Sequence, residues 1–437
     1  MKKISKALVI VFLMALTVTL VSVTDTQAAS KKTKNKVTYE LKKGTLTIKG
    51  KGKMPDSMRF KNNKKIKKVV IKKGVTYISK YAFSGCKNLK SVTIPKTVKE
   101  IGWHSFENTS IKKITIPTSV KTIGNEAFVG CKKLKNITMP GKFKVKVKAG
   151  DEEWRGIMSK VKNITFNTQL AIKNVSYCYA DNLYVSKKDT KYKSINGVIY
   201  SKDGKEIVRV PSERKTLVIE KGCTDFCLQS ILYGYYADDY GDVTLCNKLV
   251  KVTIPETVER INDTKYKTSD RYVGEMAIDE FVIQTKKLDS KSIVTLVDTF
   301  EPLYNFYLIE KNNVISIEEI AKQLSEKIKV VNNMYITDDG VLIRYMGNDR
   351  EVVIPSGVKE IAPRAFRNRR YNLQNDPSKL EKVIIPEGVT TIGEEAFAWC
   401  DKLAEVNLPQ SLQYIGKDVF YLCKNQNIKI PAGVKEI

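Results

Sequence analysis

The 437-residue sequence predicts a β-rich solenoid in which short parallel strands stack coil upon coil. The first observation behind this prediction is a repeat whose copies start at Ile66, Leu89, Ile111 and Leu134, and repeats of this length are typical of solenoids. The second is strand spacing, because apolar residues alternate with Thr or Lys at the start of each copy. The third is the proline that follows this run from the second copy on, since proline donates no ladder hydrogen bond and ends a strand.

One copy accounts for one coil. From Leu89, the side chains of Val92 and Ile94 face inward, and the return limb adds Val98 and Ile101. A glycine eases the next corner, an aromatic residue fills the middle, and Cys or Thr closes the coil. Each coil buries about six apolar side chains, worth about 1.5–3 kcal/mol each before the entropic cost. Its two flat sides remain exposed to water unless another coil covers them, so the copies must stack.

The same pattern returns near the C-terminus in copies that start at Val352, Leu380, Leu403 and Ile428. The recurring string of Ile-Pro, Val, Ile-Gly, Ala-Phe and Cys resembles the bacterial BspA-like class of surface leucine-rich repeats, over about two thirds of the chain. The resemblance implies an α/β-type leucine-rich repeat solenoid that is secreted or surface-exposed and serves in binding and adhesion. It also implies hairpins between blocks of repeats, and it brings no catalytic residue with it.

The N-terminal residues 1–29 are predicted to be a signal peptide. Three lysines precede an apolar run over residues 7–23, and Thr26-Gln27-Ala28 offers small residues for cleavage. The run is slightly short for a spanning helix, and the alternative is an uncleaved N-terminal anchor. The chain is therefore expected outside the cell or on its surface, with membrane contact only through this segment. Residues 30–65 are predicted capping strands, and residues 66–166 are the basic repeat block.

The middle of the chain departs from the repeat. Residues 167–262 are predicted to hold a β-hairpin unit and degenerate repeats, since Asp203-Gly204 between alternating apolar runs is a strong hairpin signal. Residues 263–350 form an irregular insertion, and residues 265–312 show no repeat register. Ser316 and Glu319 make a capping box that opens one short helix to about Ile328. A second hairpin is predicted at Asp339-Gly340, before the C-terminal repeat block of residues 351–437.

The last copy stops where its Gly and Ala-Phe positions should follow. Half a coil and an uncovered core edge would remain, and an uncovered edge promotes aggregation. Two explanations stay open, namely that the sequence is a fragment of a longer protein, or that a partner covers the edge. No wall-sorting signal is visible in the sequence, which favours the first explanation.

The basic charge is concentrated in the N-terminal third. The net charge is +29, and residues 31–150 hold 32 Lys and Arg against 5 Asp and Glu. Stacking would align these lysines, and the candidate polyanion-binding residues are Lys67, Lys68, Lys90, Lys112, Lys113, Lys135, Lys142, Lys144, Lys146 and Lys148. The expected partners are sulfated or sialylated glycans and wall teichoic acids; nucleic acid is the weakest candidate, because few aromatic residues could stack on bases. The alternative is a solvated lysine face that keeps a long repeat soluble.

Two insertions leave the coil at the same point, between the aromatic position and the next leading Leu. Equivalent corners stack along one edge of a solenoid, so both loops should project from the same side. Tyr and Arg are favoured at interfaces, and the candidate ligand-binding residues of these loops are Tyr233, Tyr235, Tyr236, Tyr240, Arg367, Arg369, Arg370 and Tyr371. The alternative is ordinary surface decoration.

The cysteines and the single histidine offer little chemistry. Five of the eight cysteines occupy the slot that closes a coil and are predicted to be buried free thiols. Only Cys400 and Cys423 lie in adjacent copies, within disulfide range, so their oxidation state stays open. His104 is the only histidine, which excludes a histidine-rich zinc site, and it is expected to face solvent or to pack on Trp103. No metal, cofactor or phosphate loop is predicted.

Two functions of different classes follow. The first is a secreted or cell-surface protein that binds an extracellular protein or glycan through its solenoid face and projecting loops. The second is a structural wall-associated protein held by charge to anionic polymers through its Lys-rich N-terminal third. An enzyme is not predicted. A glycosidase needs two carboxylates about 5–10 Å apart in a cleft, whereas acidic pairs such as Glu394-Glu395 lie at corners.

Overall fold

The computed structural model describes residues 37–146, 156–228, 249–262, 278, 280–300, 316–367, 379–424 and 428–435. The chain divides into two compact units. Unit 1 comprises Met1–Leu134 and Phe143–Ser159, and unit 2 comprises Lys135–Lys142 and Lys160–Ile437. In each unit short parallel strands stack in coils, so the predicted β-rich solenoid is confirmed.

The strands are short because each coil turns several corners. The first eleven are β1 (Val37–Lys42), β2 (Thr45–Gly50), β3 (Gly52–Lys53), β4 (Lys68–Ile71), β5 (Val75–Ile78), β6 (Ser91–Thr93), β7 (Glu100–Ile101), β8 (Lys113–Thr115), β9 (Thr122–Gly124), β10 (Asn136–Met139) and β11 (Lys144–Lys146). The next ten are β12 (Val161–Phe166), β13 (Ala180–Val185), β14 (Tyr192–Ile195), β15 (Val198–Ser201), β16 (Ile207–Arg209), β17 (Thr216–Val218), β18 (Asp225–Cys227), β19 (Lys251–Ile254), β20 (Arg260–Asn262) and β21 (Glu280–Ile283). The last nine are β22 (Ile328–Val331), β23 (Met334–Thr337), β24 (Val341–Tyr345), β25 (Glu351–Val353), β26 (Glu360–Ile361), β27 (Lys382–Ile384), β28 (Thr391–Ile392), β29 (Glu405–Asn407) and β30 (Tyr414–Ile415).

The coils of unit 1 are closed by two sheets. In the first sheet, β2, β4 and β6 run parallel, and Thr45, Lys68 and Ser91 stand side by side. The strand β1 pairs antiparallel with β2 through a turn at Lys43 and Gly44, whose φ angles of 46° and 77° are both left-handed. The second sheet runs in the order β3-β5-β7-β9-β11, with every strand parallel.

The core lies between these sheets and contains the apolar slots of the repeat. In the coil that starts at Ile66, every slot is at most 2% exposed, and the slots are Ile66, Val69, Ile71, Val75, Ile78, Ala82, Phe83 and Cys86. The aromatic slot forms a continuous stack. The ring of Phe83 lies 5.9 Å from that of Phe60 and 5.3 Å from that of Phe106, which is in turn 5.3 Å from Phe128. Offset stacking adds to the free energy gained by burying the rings.

The glycine after the return-limb Ile is required by the distance between coils. A Cβ at Gly124 would lie 2.4 Å from the backbone nitrogen of Trp103 in the preceding coil, and a Cβ at Gly102 would lie 2.6 Å from that of Lys80. In unit 2, a Cβ at Gly393 would lie 2.4 Å from the backbone nitrogen of Pro363. Only a residue without a side chain lets two backbones meet this closely.

Unit 2 begins with three parallel strands, β10, β12 and β13. They align Asn136, Asn163 and Asn182, whose amides form a chain of hydrogen bonds. Asn163 Nδ2 donates to Asn136 Oδ1 at 2.7 Å, and Asn182 Nδ2 donates to Asn163 Oδ1 at 3.0 Å. The strand β12 thus continues the coils beyond the copy that starts at Leu134.

Both predicted hairpins of unit 2 are confirmed. The strands β15 and β16 pair antiparallel around Asp203-Gly204, and β23 and β24 do so around Asp339-Gly340. Each hairpin gains a third strand that the pattern had not predicted, β14 in the first and β22 in the second. The turns that add them use residues with positive φ, Asn196-Gly197 and Asn332-Asn333. Asn tolerates this conformation because its short side chain can bond locally.

The insertion contains more regular structure than the sequence predicted. The strand β21 pairs in parallel with β19, which itself pairs with β17, so a coil strand lies in the stretch that showed no register. One short helix was predicted, whereas the described residues hold two, α1 (Ser290–Phe300) and α2 (Ile317–Gln323), besides a 3-10 helix at Ile172–Tyr177.

The N-cap predicted at Ser316 is confirmed, because its side chain accepts from the Glu319 N–H, while the Glu319 carboxylate accepts from Gln323 Nε2. The helix ends earlier than predicted, since β22 takes over at Ile328. The helix α1 was missed because its N-terminal signal is a single residue. Asp289 Oδ1 accepts from the Ser292 N–H at 2.8 Å, and no Glu or Gln completes a capping box.

The C-terminal coils repeat the two-sheet plan. The strands β24, β26, β28 and β30 run parallel in one sheet, and β25, β27 and β29 in the other. The aromatic stack recurs, with ring centroids 4.8 Å apart between Phe366 and Phe397 and 5.6 Å apart between Phe397 and Phe420. Phe366 and Phe397 are at most 1% exposed, and Phe420 packs partly buried on the same core.

Gly124→Ala is expected to lower the free energy of unfolding by about 1–3 kcal/mol, the usual cost of forcing atoms into a packed interior. Gly433→Ala is the matched control, because its Cβ would meet nothing closer than 3.4 Å. Denaturant unfolding followed by circular dichroism measures both, and the control should change by less than about 0.5 kcal/mol. Equal losses would contradict the close approach of the coils.

Candidate ligand-binding surface

Five of the predicted lysines lie at the starts of three strands of unit 1, namely β4 and β6 of the first sheet and the neighbouring β8. Lys67 and Lys68 stand at the start of β4, Lys90 at the start of β6, and Lys112 and Lys113 at the start of β8, and all five are exposed. The Lys90 N–H donates to the Lys67 carbonyl at 2.9 Å, so these two residues occupy neighbouring rungs. The strand β8 lies against β6. Lysines in the same slot are therefore brought side by side from coil to coil.

Further lysines lie at the corners that precede β4, β6 and β10, whereas the corner before β8 has Thr109. Asn88 Nδ2 donates to the Lys64 carbonyl at 2.7 Å, which shows that neighbouring corners also stack. Sequence reasoning missed these residues, although each lies two positions before a leading Ile or Leu. Corner and strand lysines together are called the basic band, which comprises Lys64, Lys87, Lys132, Lys67, Lys90 and Lys112, all exposed.

The acidic residues of unit 1 lie away from the basic band. Residues 57–99 contain 13 Lys and Arg and no Asp or Glu. Asp56 instead pairs with Lys80 at 3.2 Å, beside the second sheet. Glu100, on β7 of that sheet, pairs with Lys146 at 3.2 Å. Among the described residues of unit 1, the charged side chains of β4 and β6 are thus all lysines, Glu40 on β1 of the same sheet pairs with Lys42, and the second sheet carries mixed charges.

The remaining predicted lysines are placed elsewhere. Lys144 and Lys146 lie on β11, in the second sheet, and both are exposed. Lys135 and Lys142 are exposed and belong to unit 2. Lys148 lies outside the described residues. The structure therefore distributes the nine described candidates over unit 1 and unit 2, and the role proposed for them remains a prediction.

In the second sheet, lysine side chains pack against an aromatic ring. The amino groups of Lys80 and Lys146 each lie 5.9 Å from the ring centroid of Trp103, and Trp103 Nε1 donates to the Lys146 carbonyl at 2.8 Å. Burial, reinforced by the Asp56 carboxylate, raises the pKa of Tyr77 to about 12. These lysines are engaged within the protein, unlike those of the basic band.

The position predicted for His104 is wrong. Its ring stacks on Tyr81 at 4.7 Å and lies nearly parallel to it, rather than packing on Trp103 or facing solvent. The reason is the backbone, because Tyr81 and His104 occupy the same slot of successive coils with φ angles of 56° and 49°. His104 Nδ1 also lies 3.4 Å from Glu107 and 3.5 Å from Glu126. The only histidine of the chain thus joins neighbouring coils.

The cysteine slot has one recurring contact. Each thiol donates to the carbonyl of the aromatic residue one coil earlier, at 3.0 or 3.1 Å, and the pairs are Cys86 with Phe60, Cys131 with Phe106, Cys400 with Phe366, and Cys423 with Phe397. The seven described cysteines are all free thiols, including Cys400 and Cys423, while Cys246 lies outside the described residues. Burial raises the pKa of Cys86 and Cys131, and that of Cys423 to about 11.

Of the predicted ligand loops, only Arg367 lies within the described residues. Tyr233, Tyr235, Tyr236, Tyr240, Arg369, Arg370 and Tyr371 lie outside them. The Arg367 side chain is 15% exposed, and its Nη1 pairs with Glu395 at 2.6 Å. Arg364 Nε pairs with the same carboxylate at 2.8 Å. Arg367 is therefore engaged inside the protein.

These arginines belong to a mostly buried charge network that ties α1 to the C-terminal coils. Arg344 Nη2 pairs with Asp298 of α1 at 3.0 Å, and Arg364 Nη1 lies 3.7 Å from the same carboxylate. Burial lowers the pKa of Arg344, an effect that Asp298 opposes. Burial also acts to lower the pKa of Arg364, but Asp298 and Glu395 outweigh it and raise this pKa. The network is suited to holding elements together.

Within the described residues, no group of three or more His, Cys, Asp or Glu side chains could hold a metal ion. In the same part of the chain, no helix is both long enough and apolar enough to cross a membrane.

Residues 56–184 and 369–437 match a family model described as the BspA type leucine rich repeat region, in six copies. The chain therefore carries BspA-type leucine-rich repeats, and the resemblance drawn from its residues is confirmed. Repeat proteins of this kind present extended surfaces suited to binding or adhesion. No curated protein matches the chain.

Solved structures give low similarity. A leucine-rich repeat protein from Eubacterium ventriosum is 17% identical, with 93% of this chain and 97% of that chain covered and a TM-score of 0.32. The pneumococcal vaccine antigen PcpA is 15% identical, with 94% of this chain and 93% of that chain covered and a TM-score of 0.29. A leucine-rich repeat protein from Bacteroides ovatus is 18% identical, with 90% of this chain and 93% of that chain covered and also a TM-score of 0.29. The identification of BspA-type repeats therefore rests on the family match and on the coil geometry.

Cys86, Cys131 and Cys423 of the native chain are expected to react slowly with a thiol reagent, because burial raises their pKa values and leaves little thiolate at pH 8. The unfolded chain, without reductant, should titrate at least seven thiols, and fewer would reveal disulfides. The stability due to these buried thiols is complete below the unfolded pKa of about 8.5. It should decline as pH rises above that value through the native pKa, which for Cys423 is about 11.

Asp298→Asn should destabilise unit 2 by about 3 kcal/mol, because it leaves the buried Arg344 and Arg364 short of a counter-charge. Hydrogen exchange of the α1 amides measures the effect, and their protection should fall. Glu381→Gln is the control, since its pair with Arg350 at 3.6 Å is half exposed or more on both sides. That variant should lose less than about 1 kcal/mol, and an equally small loss for Asp298→Asn would contradict the structural role of the network.

Proposed function

We propose that this chain is a secreted or cell-surface protein that binds a macromolecular ligand, an extracellular protein or glycan, through the outward face of its stacked coils. The observation that carries the proposal is the first sheet of unit 1, where the core side is apolar and the outward side is polar. Lys68, Ser91 and Thr93 are exposed there, while Val69 is fully buried. A stacked sheet is pre-organised, so a ligand binds it without paying to order loops.

The expectation of a surface location is supported by the BspA-type repeats and by the signal-peptide pattern of residues 1–29. The tyrosine- and arginine-rich loops remain candidate contributors to binding. Arg367 is the exception, because its guanidinium already pairs with Glu395.

A second candidate is a structural wall protein held to anionic polymers by charge. The excess of 32 Lys and Arg over 5 Asp and Glu in residues 31–150 favours it, since such a patch attracts polyanions without needing a specific fit. The two candidates differ in what holds the protein, which is specific contact in the first and screened charge in the second.

Washing whole cells with about 1 M salt separates the two candidates, because the screening length falls to about 3 Å at that ionic strength. Retention of the protein on washed cells is expected for specific binding. Release into the wash would favour attachment held mainly by charge, to a wall polymer or to an anionic glycan, and absence from intact cells and culture medium alike would contradict both.

An array of glycans and extracellular matrix proteins, probed with residues 30–437, would identify the ligand. At least one spot should bind at physiological salt and be competed by the same ligand in solution. An array without any competable spot would count against the first candidate.

A further inference from the structure

The basic band of unit 1 is an exposed cationic surface that the fold does not neutralise. Among the described residues, none of its six lysines forms an ion pair, whereas Lys80 and Lys146 of the second sheet each have a carboxylate partner. Clustered like charges repel and destabilise a compact protein. Such a cluster is expected where an anionic partner offsets the repulsion.

We propose that the basic band binds a linear polymer that carries sulfate or phosphate groups, with the polymer crossing the strands from coil to coil. This inference rests on the proposed binding function and names the ligand class and its contact surface. Lysine suits such groups because its ammonium is a compact charge with three donors on a flexible stem.

The geometry of the band favours a polymer over a single anion. Lys67 and Lys90 occupy adjacent rungs, and rungs of a sheet lie about 4.8 Å apart. Charges therefore recur at short intervals along one direction, and Lys112 extends the row to the next coil. Exposed hydroxyls at Ser91, Thr93 and Thr115 stand beside them and can donate to sulfate, phosphate or sugar oxygens.

Two other polyanionic partners fit the band less well. No described residue of unit 1 is an exposed large hydrophobic, and interfacial membrane binding draws on buried apolar area as well as charge. The band itself also contains no aromatic residue on which the bases of a single-stranded nucleic acid could stack. An anionic polysaccharide or polyol phosphate needs neither feature.

The test compares two triple variants of the full chain that lose the same charge. The first removes the strand column of the band, Lys67→Gln, Lys90→Gln and Lys112→Gln. The matched control removes three exposed lysines outside it, Lys96→Gln, Lys99→Gln and Lys121→Gln. Circular dichroism and thermal unfolding establish that both variants are folded like the unsubstituted chain.

Binding to heparin and to poly(glycerol phosphate) is measured at several salt concentrations. The band variant should lose about 100-fold in affinity at physiological salt, since each of the three lysines contributes about 1 kcal/mol near an anionic surface and about 1.4 kcal/mol is tenfold. Its log–log salt slope should fall by about three, one for each contact removed. The control variant should change by less than about 3-fold. Preference for one probe over the other identifies sulfate or phosphate as the source.

Several outcomes would overturn the inference. Equal losses in both variants would mean that net charge alone attracts the polymer. Tighter binding to phosphatidylserine vesicles or to duplex DNA than to either polymer would assign the band to a membrane or a nucleic acid. If neither polymer binds while the array yields a competable ligand, the ligand class is wrong and the proposed binding function stands. If nothing binds in either experiment, both proposals fail.

Discussion

The apolar side chains on each flat side of a coil are shielded from water only if another coil covers them. The hydrogen bonds between strands set the distance between neighbouring coils. Phe83 illustrates the constraint. Its ring stacks between those of Phe60 and Phe106, and its N–H donates to the Ser105 carbonyl of the next coil at 2.8 Å. At Gly124 the two backbones come so close that no Cβ fits. Residues in one slot are therefore held in register from coil to coil.

Because equivalent positions of successive coils align, the lysine-rich composition of the N-terminal repeats produces a lysine-rich surface. A lysine two positions before the leading apolar residue, or one position after it, meets its equivalents in neighbouring coils, as Lys67 meets Lys90. The same register gathers opposite charges elsewhere, where Glu100 meets Lys146 and Asp56 meets Lys80. The sign of the charge thus depends on the position within the repeat. The first and second sheets of unit 1 therefore differ in electrostatic character, although both are built from the same coils.

Residues that could carry chemistry are instead used to join elements. His104 lies between Tyr81 and two carboxylates, and Glu395 accepts from two arginines. The adjacent acids Asp338 and Asp339 have different partners, Lys327 for the first and Ser290 and Thr337 for the second. Asp338 and Asp339, although neighbours in sequence, therefore bind separate partners.

The sequence by itself determined the coils, the N-cap of α2 and both hairpins, because these depend on local spacing and on residues such as Ser, Pro, Gly and Asp-Gly. It also carried the coil strand at β21, since Ile278, Phe281 and Ile283 keep the repeat spacing, but no proline follows to mark it. Only the tertiary structure decided which lysines share a face, which ring covers His104, and that Arg367 is engaged by Glu395. These outcomes depend on side chains from separate coils meeting in space, and the distance between coils is a property of their stacking that no single repeat contains.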